Sequence, residues 1–248
     1  YDRAITLGAN DEIIYNNRGK AKLNLGAAKE SIADFDRALG IKKDYTQALK
    51  NRASARFQLK DYPNVVADLV IVVARNEAGA DEFAALGISK YFTRDYQGSI
   101  ADLTKALAGG SKDLQVHVIR GYAYFEINDF EKTITDLTKA ITGGLTDAEL
   151  FYKRGSSAYN LKDFKAALPD LDKAIATGSS TALAYDMRGH CRSDAKNYEA
   201  AITDFNAAIE KDPKLGTAYY HRGDARFLTN NLVAAVQDYS QAISMGLK

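Results

Sequence analysis

Residues 216–248 read GTAYYHRGDARFLTNNLVAAVQDYSQAISMGLK. Tyr219, Arg222-Gly223, Arg226 and Phe227 lie at steps of three and four, and Leu232, Ala235, Val236, Tyr239, Ala242 and Ile243 repeat that period. Such spacing lines one face of a helix, not of a strand. Thr229-Asn230-Asn231 interrupts it with a short polar turn. The segment therefore predicts a helix, a tight turn and a second, antiparallel helix. Two helices alone cannot bury both apolar faces, so the hairpin must stack on neighbours.

The same pattern recurs toward the N-terminus every 34 residues. A small residue stands at Gly19, Ala53, Gly87, Gly121, Gly155, Gly189 and Gly223. Arginine precedes it at Arg18, Arg52, Arg120, Arg154, Arg188 and Arg222, with Leu86 as the exception. A bulky late column runs Phe35, Leu69, Leu103, Leu137, Leu171, Phe205, Tyr239, and a small one Ala38, Val72, Ala106, Ala140, Ala174, Ala208, Ala242. Glycine and alanine allow two helix backbones to approach, and the bulky column fills the remaining space. Gly109-Gly110, Gly143-Gly144, Gly178 and Gly246 supply the chemistry of helix C-termini.

This pattern resembles the tetratricopeptide repeat, whose 34-residue unit combines an aromatic, Leu-Gly, Tyr, Ala, Phe, Ala and Pro. The expected fold is all-α: a right-handed α-solenoid of seven helix-turn-helix units, with a partial unit before them. The boundaries fall at 1–9 (the second helix of a cut unit, since Tyr1 and Ala4 match the late columns), 12–45, 46–79, 80–113, 114–147, 148–181, 182–215 and 216–248. A chain that opens inside a hairpin reads as part of a longer array or multidomain protein. Arginine in place of the family's leucine, and Pro213 as the only terminal proline, mark a variant whose Arg-Gly and Asp-Phe style resembles bacterial members.

Composition excludes several functions. With 33 basic and 32 acidic residues the net charge is +1, without the basic excess usual in nucleic-acid binders. No run approaches the ~18 apolar residues of a membrane span. One cysteine, Cys191, precludes an intrachain disulfide, and its place in a small-residue column makes it a packing group. No phosphate loop, nucleophile elbow or zinc cysteine cluster occurs, so neither an enzyme nor a cofactor is indicated.

One acidic column is invariant within the chain: Asp34, Asp68, Asp102, Asp136, Asp170, Asp204 and Asp238. The arginine column, Arg120 included, lies on the other helix. An interhelix ladder of ion pairs is expected, within units or between adjacent ones; a row of arginines facing a ligand is the alternative.

The resemblance implies that first helices line a concave groove that holds a protein or extended peptide. Helical spacing turns Asn16, Lys20, Asn24, Lys50 and Ser54 inward, then Ala84, Ile88, Phe92, Val118, Tyr122 and Tyr152, then Asp186, His190, Asp194, Tyr220 and Asp224. The expected lining passes from mildly basic through aromatic to acidic, with a partner's apolar side chains near Ile88, Phe92, Val118 and Tyr122. The family's carboxylate clamp for chaperone tails is incomplete. Asn16, Lys20, Lys50 and Asn51 fit it in part, but Ser54, Asp81 and Ala85 do not. Asp186, His190 and Asp194, near His221 and Asp224, form a stripe that reads as a groove wall rather than a metal site. Self-association through the array's ends is the alternative role. The compartment, cytoplasmic or periplasmic, is left open.

Overall fold

The computed structural model describes residues 1–8 and 10–247. Ala9 and Lys248, which close the first and last expected segments, lie outside them. The described residues form helices and turns, with no strand among them. In chain order the helices are α1 (Asp2–Thr6), α2 (Glu12–Asn24), α3 (Ala28–Ile41), α4 (Thr46–Gln58), α5 (Tyr62–Ala74), α6 (Ala80–Phe92), α7 (Tyr96–Ala108), α8 (Leu114–Glu126), α9 (Phe130–Thr142), α10 (Ala148–Asn160), α11 (Phe164–Ala176), α12 (Ala182–Asp194), α13 (Tyr198–Lys211), α14 (Gly216–Leu228) and α15 (Leu232–Ser244). They divide into two compact units, Tyr1–Ala123 and Tyr124–Lys248. No described helix is long and apolar enough to cross a membrane.

The turns within hairpins share one design. Gly26, Lys60, Arg94, Asn128, Lys162, Lys196 and Asn230 all have positive φ. The residue after each donates its N–H five positions back, as in Asp61 to Arg56 O at 2.9 Å and Asp163 to Ala158 O at 2.9 Å. This is the Schellman closure of a helix C-terminus. The donor residue then starts the next helix: the Asp95, Asp129, Asp163 and Asn197 side chains accept from N–H groups three residues on. At these four turns one residue serves both helices, its backbone N–H closing the first and its side chain capping the second.

In the unit Tyr1–Ala123, Leu49, Val65, Leu69, Val72 and Leu86 are buried in one cluster and Leu23, Phe35 and Ala55 in another. In Tyr124–Lys248, Leu171 packs with Ala158, Ala167 and Cys191, and Phe205 with Ala201 and Ala225. The glycines make these contacts possible. A Cβ on Gly189 would meet Phe205 at 2.6 Å, one on Gly223 Tyr239 at 2.8 Å, and one on Gly19 Phe35 at 2.7 Å. At Gly87 it would meet Leu103 at 2.6 Å, and at Gly155 Asp170 Cβ at 3.0 Å. Gly121 is likewise buried.

The Arg and Asp columns pair within a hairpin. Arg18, Arg52, Arg154, Arg188 and Arg222 each place Nε and Nη2 on the two oxygens of the aspartate 16 residues later, at 2.5–3.0 Å. The remaining Nη1 points 16 residues back: to Asp2, Asp36, Thr138, Asp172 and Asn206 respectively. Arg120 Nη1 reaches Thr104 Oγ1 in the same way. Asp136 is buried. Each of the five forked guanidiniums therefore closes its own hairpin and ties it to the preceding helix.

A second cation, 12 residues before the aspartate, completes several of these sites: Lys22, Arg56, Arg192 and Arg226. Where Leu86 replaces arginine, Lys90 supplies the contact to buried Asp102 at 2.6 Å, with the exposed Lys105 at 3.7 Å. Replacing Lys90 with Met leaves Asp102 nearly unpaired, whereas Lys22→Met leaves Asp34 its Arg18 fork. Lys90→Met should cost about 3 kcal/mol and Lys22→Met under about 1, measured by urea unfolding. Adding Asp102→Asn should recover part of the Lys90→Met loss. Equal losses in the two single variants would contradict this account.

Candidate functional site

The first helices present three successive helical turns with different exposure. In Tyr1–Ala123 the first of these turns is mostly covered. Asn16 is buried and accepts from Asn51 Nδ2 at 2.8 Å, and Gln47 donates to Asn51 Oδ1 at 3.2 Å. Val118, expected as a groove contact, is only 5% exposed and belongs to the interior. One turn on, Lys20 and Ser54 are exposed and Ile88 and Tyr122 half-buried. One turn further, Asn24, Gln58 and Phe92 are exposed. Burial of the first turn follows from contact between successive first helices, which places residue 16 against residue 51.

Two features of this unit can receive a ligand. A pocket of about 350 Å³ brings together Lys20, Lys50, Asn51, Ser54, Asp81, Glu82 and Ala85. Lys50 Nζ is 3.4 Å from Glu82 Oε1, so part of its charge is already met. The acidic pair on the wall opposes a carboxylate ligand, in keeping with the incomplete clamp. The second feature is an aromatic shelf. Phe92, 49% exposed, stacks on Tyr62 with centroids 4.4 Å apart and planes at 11°. Tyr91 adjoins Phe92, Tyr96 and Tyr122. Tyr62, Tyr91 and Tyr96 were not among the expected site residues. They belong to the ends of helices, where a ring column signals packing and shows its exposed edge only when two helices are set side by side.

In Tyr124–Lys248 the acidic stripe resolves into a buried and an open part. Asp186 is 4% exposed; it accepts from Thr217 Oγ1 at 3.0 Å and lies 2.9 Å from His221 Nδ1. It is a between-helix contact, not a solvated wall. His190 lies edge-on to Tyr159 and Phe164 and 4.7 Å from the His221 ring. Its Nδ1 is buried without a hydrogen-bond partner. Burial, followed by the neighbouring His221, holds the His190 imidazole below its ordinary value, against the pull of Asp186, Asp194 and Asp224. Asp194, Asp224, His190, His221, Phe227 and Leu228 border an open pocket of about 370 Å³. Asp224 accepts from Tyr239 Oη at 2.8 Å. Tyr152 is half-buried and Tyr220 is exposed. Phe227, which helical spacing placed on the packed face, is exposed, and so is Leu228, which lies one turn beyond Asp224 and was not among the expected contacts. Burial raises the Cys191 thiol to about 12, which suits a packing group rather than a nucleophile. Among the described residues, no three His, Cys, Asp or Glu side chains are grouped to hold a metal ion.

Stacked hairpins with exposed first-helix turns define a helical-repeat protein of the solenoid class. Tetratricopeptide repeat patterns match residues 13–45, 152–216 and 187–246. The chain belongs to the tetratricopeptide repeat family, and its role is that of a protein–protein interaction scaffold. Over 64 residues it is 39% identical to Protein FlbA of Caulobacter vibrioides; the match spans 25% of this chain and 11% of that protein. The crystal structure of YrrB, described as a TPR protein with an unusual peptide-binding site, has a TM-score of 0.63 at 22% identity, over 72% of this chain and 92% of that one. A MamA crystal structure gives 0.58 at 24% identity over 67% and 91% of the two chains. MamA from Desulfovibrio magneticus RS-1 gives 0.58 at 17% identity over 67% and 94%. These structural likenesses establish the fold.

The imidazole of His190 gives the fold a pH dependence. Because its folded value lies below the ordinary 6.5, both states are neutral above that pH. As pH falls below it, the unfolded chain takes up the proton first and stability declines. His190→Phe keeps a ring among Tyr159, Phe164 and His221 and removes the orphan nitrogen. The melting temperature of His190→Phe should fall less than that of the parent between about pH 7.5 and about pH 5.5. Parallel curves would show that His190 does not carry the effect.

Proposed function

We propose that the chain holds an extended polypeptide along its first helices, with the partner's apolar side chains seated on the shelf at Ile88, Phe92 and Tyr122. The observation that carries this reading is Phe92, half exposed although stacked on Tyr62. An aromatic ring held rigid and left in water offers area for burial at little entropic cost. Val118 is buried and is left out of the seat. Lys20 and Lys50 flank it in the same unit and contribute to the orientation of a charged peptide. Asp186, His190, Tyr152, Tyr220 and Asp224 belong to the second unit, where Asp224 and Tyr220 offer the accessible polar and aromatic contacts. YrrB, a TPR protein with a peptide-binding site of its own, supports this use of the fold.

A displayed library of random peptides, panned against the whole chain, tests the reading. Selected peptides should carry two or more apolar residues. The best of them, made synthetically, should bind Phe92→Ala and Ile88→Ala about ten-fold more weakly, with unchanged circular dichroism. Undiminished binding to both folded variants would remove the shelf from the account.

A second reading, self-association, is favoured by α15, which leaves Val233, Val236 and Ile243 exposed on one helix. Sedimentation over a range of concentrations separates the two: a strict monomer leaves only the peptide-holding role.

A further inference from the structure

At Asp170 the second cation described above is missing, and a pocket stands in its place. Asp34, Asp68, Asp204 and Asp238 each carry, besides the arginine fork, a Lys or Arg from 12 residues before at 2.6–2.9 Å. At Asp170 the corresponding residue is Ala158. Arg154 holds the fork at 2.7 Å on both oxygens, and its Nη1 ends on the neutral Thr138. A pocket of about 300 Å³ opens beside them, bordered by Arg154, Ala158, Asp163, Ala166, Pro169 and Asp170.

The path of the missing side chain can be read from another hairpin. Arg56 passes the backbone oxygen of Asn64 at 3.4 Å and reaches Asp68 Oδ2 at 2.6 Å. Asn64 and Asp68 stand where Ala166 and Asp170 stand 102 residues later, so the pocket at Asp170 follows the course that the Arg56 guanidinium takes. Its charge is unbalanced: Asp163 and Asp170 face the single cation Arg154. Pro169 has no N–H to give the Lys165 carbonyl, which leaves one more acceptor on this segment of α11.

We propose that this pocket receives the guanidinium of an arginine side chain from a bound polypeptide, which takes up in trans the position that Lys22, Arg56, Arg192 and Arg226 occupy in their own hairpins. The site demands a planar, multidentate cation, since it offers a carboxylate oxygen and a carbonyl oxygen along one edge. It lies on the second unit and involves none of the shelf residues, so it stands or falls apart from the proposed peptide seat.

The whole chain, 15N-labelled, is titrated with the blocked peptide acetyl-Gly-Arg-Gly-amide and with its citrulline counterpart, which keeps the shape and loses the charge. Amide shifts should concentrate on Ala158, Asp163, Ala166 and Asp170, and the citrulline peptide should bind about ten-fold more weakly. Asp163→Asn keeps the helix cap, as Asn197 does naturally, and should weaken arginine binding about three-fold. Ala158→Arg should fill the pocket from within, raise the melting temperature and abolish the shifts. Equal binding of the citrulline peptide, or undiminished arginine shifts at these amides in folded Ala158→Arg, would overturn the proposal. Absence of shifts at these positions in the parent chain would overturn it equally.

Discussion

A guanidinium clamped between two helices sets the geometry of this molecule. Its Nε and Nη2 hold a buried aspartate of the same hairpin, and its Nη1 reaches back to the preceding helix. Both carboxylate oxygens are used, and the arginine is always charged, so the contact has one geometry and one register. Net stabilisation from such pairs is modest, because desolvation offsets much of the attraction. Their consequence is positional. A helix that slid by one turn along its partner in the hairpin would bury an aspartate without its arginine fork. The glycine one residue after the arginine reinforces this, since Phe35, Phe205 and Tyr239 occupy the space its side chain would need. Packing thus forbids separation and charge forbids sliding.

The exceptions to the pattern show how the constraint is met when a residue is missing. Leu86 adds apolar area to the interior and gives up the fork, and Lys90 answers Asp102 with its single ammonium. At Ala158 the opposite choice is made: the fork is kept and the second cation lost, which opens space at the surface. A buried carboxylate can forgo one of its cations but not both. The pattern therefore carries a margin of one, and the margin differs from hairpin to hairpin.

Much of this was legible in the letters. The 34-residue step, the helical spacing within it and the polar turns determine an all-helical repeat, and those signals act locally. The partner of each arginine was not legible, because a first helix in a stack touches helices before and after it. Only the three-dimensional arrangement separates Asp68 from Asp34 as the partner of Arg52. The candidate surface was legible in part. Lys20, Ile88 and Phe92 lie open or half open, as helical spacing suggests. Asn16, Val118 and Asp186 do not, since they meet the seam between successive first helices or the interior, as the bonds of Asn16 to Asn51 and of Asp186 to Thr217 show. A single-helix projection assigns one buried face to each helix. A stacked first helix has a wider one, and the error lies in that width.

The width of the buried face also explains where recognition can reside. Along the first helices the aspartate-binding arginine and the glycine beside it are nearly fixed, and the residues at the seam are covered. The next exposed turn carries Asn24, Gln58, Phe92, Glu126, Asn160, Asp194 and Leu228, a set with no common size, charge or polarity. All seven are exposed, although Phe92 stacks on Tyr62 and Glu126 pairs with Lys153. The scaffold can therefore present an aromatic at one place and a carboxylate at another while the arginine–aspartate forks beneath stay the same. Rigidity at Arg and Asp is the condition for that freedom: the displayed side chains keep defined separations only while the register beneath them cannot slip.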